Sequence, residues 1–474
     1  MLIQHLNGGP AKALNPIMLG MPYLEGSDDK VAAIMRRGND TAVCRNILRA
    51  HYCRVLRAYT RRADRFGVER FDSTVADCAI SGATGTQLRE AHAYAYGGCA
   101  IQDMGYYPFG EKFFSNLTHY VRTRDFITWL FRSARTIDEY GFAIGALSHY
   151  LGDSIGHSEA VNPATGIEFP KLRRKLGPFV TYGESPHGHI RTEFAFDVDE
   201  LTDNAVAPPA YLQAIGFQVP GKFLERAFIN TYGFDIHELL GNRAQPALRS
   251  YRISVRSFIP AFAEAEVVLH RHQFPPHPNT EDYRVFAERV ARTNYERRWK
   301  HAFKGPGFKV HLLAILVFIV SKIGAASDLA IKIPTPDTEE LYLRSANHTV
   351  DAFRGTLDKL KANFDTPLPL ANIDLDTGNR VKRGDYPLTD GTYARLLARV
   401  TSKPERVLPR DLKENVLEFY AGSAPSSSGP HAVSQQLQVL EGMKVSDGLN
   451  GIPAPRRLRL RELKERGDRC LCSV

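Results

Sequence analysis

The chain is 474 residues long, 43% hydrophobic and 24% charged, with a formal net charge of +9. Its hydrophobic share is that of a globular protein with a real core, which excludes a disordered chain, and its length suits one large domain or two to three ordinary ones. The excess of base suits phosphate-bearing partners, nucleic acid or an anionic lipid surface, although a solvated basic surface is the commoner cause of such a balance.

Six cysteines (Cys44, Cys53, Cys78, Cys99, Cys470, Cys472) form neither a dense framework nor a Cys-x-x-Cys motif, so cysteine leaves the compartment undecided. No apolar run reaches the roughly 18 residues of a membrane span, so no transmembrane segment is expected. The nearest is Leu312 to Val320, which reads as a buried helix, with interfacial insertion as the lesser alternative. Met1 to Gly9 lacks the charged and apolar regions of a signal peptide.

Taken in order, residues 1–80 are the least legible and are expected to form an atypical N-terminal segment of poor order. Gly8-Gly9-Pro10 and Pro16 interrupt any early helix, and Val31 to Arg62 is basic with helical character. Gln87 to Tyr96 predicts a helix ended by Gly97-Gly98. Ala100 to Gly110, with its glycines, proline and aromatics, reads as a rigid loop carrying Asp103. A helix starting near Lys112 carries His119, and Arg122 to Tyr140 reads as one further amphipathic helix.

Phe142 to Asn162 is the centre of the chain's chemistry. Apolar and small residues at helical spacing predict a buried helix, and His149, Asp153 and His157 at i, i+4 and i+8 fall on one face of it. Two imidazoles and a carboxylate are costly to bury without a partner, and a divalent metal is the commonest partner. Any one of these histidines alone is more often a hydrogen-bonded core residue; the triplet is what points to metal. After an irregular basic stretch at Lys171 to Lys175, Pro186 opens a second helix on which His189 and Glu193 face the same way. Alone that pair is an ordinary hydrogen bond, whereas beside the triplet it becomes half of a zinc site.

Residues 205–305 remain helix-like, broken at Pro208-Pro209, Pro220-Gly221, Gly233 and Gly241. Ser250 to Gln273 carries Val255, Phe258, Phe262 and Val267 at helical spacing and leads to His270, His272 and His277. The i, i+2 spacing of the first two shares no helical face, so this group reads as a polar helix end and not as a ligand set. Thr338 to Phe364 predicts a long amphipathic helix and Leu412 to Tyr420 a short one. Ser423 to Pro430 reads as disordered and Arg456 to Arg466 as a solvated basic end. No strand-like alternation persists, and the expected class is all-α. The expected divisions are 1–80, a helical domain at 81–305, a helical extension at 306–420, and a low-complexity and basic tail at 421–474.

The ordered set Asp103, His119, His149-x3-Asp153, His157 and His189-x3-Glu193 resembles the bacterial zinc-dependent phospholipase C family, whose multi-helix architecture is shared by the S1/P1 nucleases. The loop from Asp103 to Gly110 and the stretch Phe113-Phe-Ser-Asn-Leu-Thr-His119 resemble the phospholipase branch. The resemblance implies one zinc held by Asp103, His119, His149 and Asp153 and a second held by His157, His189 and Glu193. It implies a third held by Asp153 with a histidine and the first residue of the mature N-terminus. Here the chain departs from the pattern: no aromatic residue followed by a suitably placed histidine stands in an early helix, and Met1 with His5, or His51, are poor substitutes. Two zinc ions are therefore expected and the third is left open. The implied activity is hydrolysis of phospholipid head groups by a metal-activated water, with Asp103 orienting that water or taking its proton. Tyr106, Tyr107 and Phe109 are candidates to line the mouth, with loop packing as their alternative role. A phospholipid or other phosphodiester is the implied partner, with peripheral contact to a membrane surface; no specific protein partner is inferred. A secreted or periplasmic location is implied by resemblance only. A nuclease-like phosphodiesterase, and a metal-binding helical protein without catalysis, stay open beside it.

Overall fold

The computed structural model describes residues 85–202, 217–255, 259–270, 272–290, 331–362, 368–422 and 430–446. The expectations placed on residues 1–80, on Leu312 to Val320, on Ser423 to Gly429 and on the basic end at Arg456 to Arg466 lie outside them. Among the described residues the fold is all-α, as expected. Their β pairing is confined to two two-residue strands, Leu408–Pro409 (β1) parallel to Val445–Ser446 (β2), and an isolated bridge between Ile373 and Arg380.

The first helix, α1 (Gly85–Gly98), ends at the expected glycines. The expected loop after it takes a regular form instead: Ile101–Tyr106 closes into a 3-10 helix, buried throughout. Helix α2 (Lys112–Tyr120) then presents His119. The expected single helix from Arg122 to Tyr140 is two helices, α3 (Thr123–Ser133) and the long α4 (Ile137–Gly156). The break comes from capping. Thr136 Oγ1 accepts the Glu139 N–H at 3.2 Å while the Glu139 carboxylate accepts the Arg135 N–H at 2.6 Å. These bonds satisfy donors that a new helix start would leave bare. At the other end Arg122 adopts a left-handed backbone (φ 52°) with its guanidinium fully buried between Asp125 and Asp411, at 2.9 and 2.6 Å.

Helices α1 and α4 touch backbone to backbone. A Cβ on Gly145 would stand 2.0 Å from the Ala95 carbonyl oxygen, and one on Gly98 would stand 2.2 Å from that of Phe142. Only glycine permits that approach, and it sets the C-terminal end of α1 against the ligand-bearing half of α4.

Helix α4 runs without interruption into a π-helical turn, His157–Val161, and then into α5 (Asn162–Glu168). The basic stretch expected to be irregular is a short helix, α6 (Pro170–Leu176), with no buried residue. Helix α7 (Pro186–Thr202) opens at the expected proline and returns His189 and Glu193 to the π turn. Helices α8 (Gly221–Tyr232), α9 (Ala244–Ile253), α10 (Ile259–His270) and α11 (Glu281–Val290) come next. The apolar stretch from Ser250 thus spans the end of α9 and all of α10, its Phe258 lying outside the described residues.

The long helix α12 (Pro336–Ala362) matches its expectation. Beyond it lie α13 (Pro387–Thr401), α14 (Arg410–Ala421) and α15 (Pro430–Gly442), the last within the stretch expected to be tail. One hydrophobic cluster joins the two halves of the chain: Phe114 and Phe142 belong to it together with Leu396, Leu412 and Leu440. A second cluster (Ala160, Ala164, Phe196, Phe286, Tyr342) ties the π turn, α5 and α7 to α11 and α12.

Candidate metal centre

All seven candidate residues, five from helical spacing and Asp103 and His119 from the resemblance, lie on neighbouring elements and are buried. Asp103, on the 3-10 helix, meets His119 of α2 and His149 of α4, with ligand atoms of all three within 4.8 Å of one another. His119 Nε2 lies 3.2 Å from Asp103 Oδ1 and 3.2 Å from Asp153 Oδ2, and His149 Nε2 lies 3.3 Å from the same Asp153 oxygen. One turn further along, His157, His189 and Glu193 form a second such group. His157 Nε2 stands 3.3 Å from Glu193 Oε1, His189 Nε2 stands 3.9 Å from Glu193 Oε2, and the two imidazoles meet edge to face at 4.9 Å.

The proton positions decide what this arrangement can hold. His119 Nδ1 lies 2.7 Å from the Ser115 carbonyl oxygen, and His149 Nδ1 lies 3.2 Å from that of Cys99. A carbonyl oxygen only accepts, so each Nδ1 carries the proton and donates it. In the neutral ring Nε2 then presents a lone pair. The two Nε2 atoms nevertheless face each other at 3.2 Å, with the carboxylates of Asp103 and Asp153 beside them. Four electron-rich groups converging on one dry point repel unless a cation stands among them. Nitrogen with carboxylate oxygen is a donor set that zinc takes, and backbone carbonyls orienting Nδ1 are the usual support of such ligands. The residues fit the metal.

The field is tuned the same way. Burial opposes ionisation of Asp153, yet His149 and His157, with His119 beside them, hold its carboxyl well below the usual range. Burial also opposes protonation of His157, but Asp153, Glu193 and Asp376 push its imidazole up to about 9. This is a site that draws positive charge.

Asp376 was not singled out in the sequence. It lies in the segment 368–386, far along the chain, where Asp374-Leu-Asp-Thr-Gly378 folds into a tight turn. Asp374 Oδ1 accepts the N–H groups of Asp376 and Thr377 at 2.8 and 3.2 Å, and Gly378 takes φ 71°. The turn is pressed into the centre: Leu375 accepts from His157 Nδ1 at 3.2 Å through its carbonyl, and donates its N–H to the His119 carbonyl at 3.0 Å. Asp376 Oδ1 stands 3.6 Å from His157 Nδ1, while Oδ2 accepts the hydroxyls of Tyr120 (2.9 Å) and Tyr386 (2.6 Å). Burial and the Asp376 charge raise both phenols, which keeps them protonated as donors. In sequence the turn shows only as an Asp/Gly-rich connection.

Of the two roles left open for the loop aromatics, two of the three residues take packing. Tyr106 and Tyr107 are buried, Tyr106 beside His119 at 5.9 Å and Tyr107 against Tyr251 at 5.5 Å. Phe109 alone of the three is exposed, at 56%, and has a left-handed backbone (φ 67°). Among the further buried acids of α7 is Asp197, a turn past Glu193, whose carboxyl burial and then Glu193 push well above the usual range.

Residues 74–233 match the family model described as zinc dependent phospholipase C. Over these residues the chain is similar to that family. The match spans all seven ligand candidates of the zinc-dependent phospholipase C pattern and stops well short of Asp376. No match was found among curated proteins or solved structures. The third zinc position of the resemblance rests on residues near the N-terminus, which lie outside the described residues.

Proposed function

We propose that the protein is a zinc-dependent hydrolase of phospholipid head groups, with two ions held by Asp103, His119, His149 and Asp153 and by His157, His189 and Glu193. The observation that carries this is the pair of Nε2 atoms of His119 and His149, 3.2 Å apart and both beside one Asp153 oxygen. Bound there, zinc supplies Lewis-acid polarisation of a phosphodiester and lowers the pKa of water toward neutrality. The protein's own part is positional and protonic. Ser115, Cys99 and Leu375 fix three imidazoles through their Nδ1 atoms. Asp103, one of whose oxygens lies near His119 Nε2, is the carboxylate placed to accept the proton of the attacking water. The wall of buried tyrosines excludes bulk water, which strengthens every charge interaction inside.

The proposed contact with lipid is peripheral; among the described residues no helix is long and apolar enough to cross a bilayer. Exposed Phe109 and Phe179 stand on two connected loops, since Lys112 lies over the Tyr182 ring at 5.9 Å. Elemental analysis of the purified chain, with chelator-sensitive hydrolysis of a phosphatidylcholine analogue beside single-stranded DNA, tests the proposal. Zinc with preferential turnover of the lipid analogue is expected. Preferential cleavage of the DNA transfers the site to nucleic acid, zinc without turnover makes it a binding protein, and fewer than about one ion per chain removes the metal altogether. His149→Ala is expected to lower zinc content.

A further inference from the structure

A second, separate set of metal-type donors lies where α7, the loop after α10 and the first turn of α12 meet. Asp199, His277 and Glu339 each bring a ligand atom to within 4.8 Å of the others. They come from three stretches far apart in the chain, so local sequence does not explain their meeting. Asp199 and Glu339 are buried, Glu339 to 1% exposure, and the Glu339 carboxylate meets His277 Nδ1 through one oxygen. Its other oxygen, Oε2, is buried and makes no hydrogen bond among the described residues. A buried carboxylate oxygen without a donor is costly.

The surroundings hold these groups in place. The His277 ring stacks on Tyr283 at 4.6 Å and 21°. Thr280 caps α11 through the Tyr283 N–H at 3.2 Å and donates to Glu340 at 2.7 Å, which locks the His277 loop onto α12. The start of α12 is itself tied to α5, where Glu168 accepts from Thr338 Oγ1 and the Thr335 N–H, both at 2.8 Å. Below lies the stacked pair Phe196 and Tyr342. The donors are therefore preorganised, and the partial exposure of His277 leaves an entry path.

We propose that Asp199, His277 and Glu339 bind a divalent transition-metal ion, apart from the catalytic centre, that tethers α7 to α12. One nitrogen and two carboxylate oxygens exclude a calcium or magnesium preference and suit zinc, which among commonly available ions also binds such donors tightly. Because Asp199 follows Glu193 on the same helix, an ion here steadies the element that presents His189 and Glu193. The site stands on its own donors and does not depend on the proposed lipid activity.

The test is zinc content of the full chain after chelator stripping and reloading with Zn2+ alone, measured for the parent, His277→Ala, His149→Ala and the double variant. His277→Ala is expected to lose about one ion per chain, additively with the loss in His149→Ala, because the two sites share no ligand. Should His277→Ala fail to fold, as judged by circular dichroism, the near-isosteric Glu339→Gln carries the same measurement. Reloading His149→Ala with Zn2+ should also raise its Tm, and that rise should be smaller in the double variant, which keeps only the ion at His157, His189 and Glu193. Parent-level zinc in folded His277→Ala or Glu339→Gln overturns the proposal and leaves a proton-bridged ion group. That outcome is distinct from loss of the catalytic zinc, which His149→Ala reads separately.

Discussion

A histidine becomes a metal ligand through the atom behind it as much as the one in front. Ser115, Cys99 and Leu375 each take an Nδ1 proton and so decide what Nε2 can do. Asp376 acts at the same remove, facing His157 Nδ1 at 3.6 Å. Asp376→Asn should therefore weaken zinc retention by roughly 10–100-fold without unfolding the chain. Competition with a fluorescent chelator reads this directly, and unchanged affinity would reduce Asp376 to a partner of Tyr120 and Tyr386. A second residue-scale expectation concerns pH. Burial opposes ionisation of Asp125, but Arg122 and Arg124 outweigh it and lower its carboxyl. A folded value below the unfolded one, about 3.9, means stability present above that pH and lost as pH falls through the folded value. Asp125→Asn should cost about 1.5–3 kcal/mol at pH 6. The gap to the parent in urea unfolding should narrow below about pH 4. A gap constant down to pH 3 would show that the charge of Asp125 contributes nothing.

Among elements, the contact of α1 with α4 matters most, because it carries the Cys99 carbonyl to His149. Gly145→Ala would set a methyl 2.0 Å from the Ala95 oxygen, a backbone atom with no rotamer to escape into. The expected loss is about 1–3 kcal/mol in denaturant unfolding, accompanied by weaker zinc binding. An unchanged midpoint would mean that the helices separate freely. Much at this scale was legible in the sequence. The period of α4, the proline opening α7 and the glycines closing α1 are local signals, and five candidate ligands could be read from helical spacing, with Asp103 and His119 added by the family resemblance. Less legible were elements whose form is settled by caps and neighbours. The bonds of Glu139 to Thr136 and Arg135 split one expected helix into two, and enclosure made a 3-10 helix of the stretch around Asp103. His277 looked like part of a polar helix end, because its partners Asp199 and Glu339 are remote in sequence.

At the scale of the whole molecule, the part matched by the family model and the C-terminal helices share one core, and the centre draws on both. Asp376 was invisible to spacing arguments for that reason: nothing near it in sequence announces a metal. The outer surface gives part of the +9 charge a place to act. Helix α6 is exposed and carries Lys171, Arg173, Arg174 and Lys175, and it lies just before exposed Phe179. Apolar tips beside base are what an anionic lipid surface holds. Replacing Phe109 and Phe179 together by alanine should lower hydrolysis of anionic phospholipid vesicles several-fold and leave a soluble short-chain analogue unaffected. Equal losses on both substrates would place these rings in catalysis and remove them from docking.

The Leu375 peptide unites the two halves of the centre, its N–H on His119 and its carbonyl on His157. Such a clasp has a consequence in time. Tyr120 and Asp376 meet across 256 residues of sequence, so the loop that brings them together must close before their bond returns any free energy. During synthesis, histidines 119 to 189 emerge long before the turn that fixes them. The donors of the centre are thus all made by residue 193, while the turn that orients His157 arrives only when most of the chain exists.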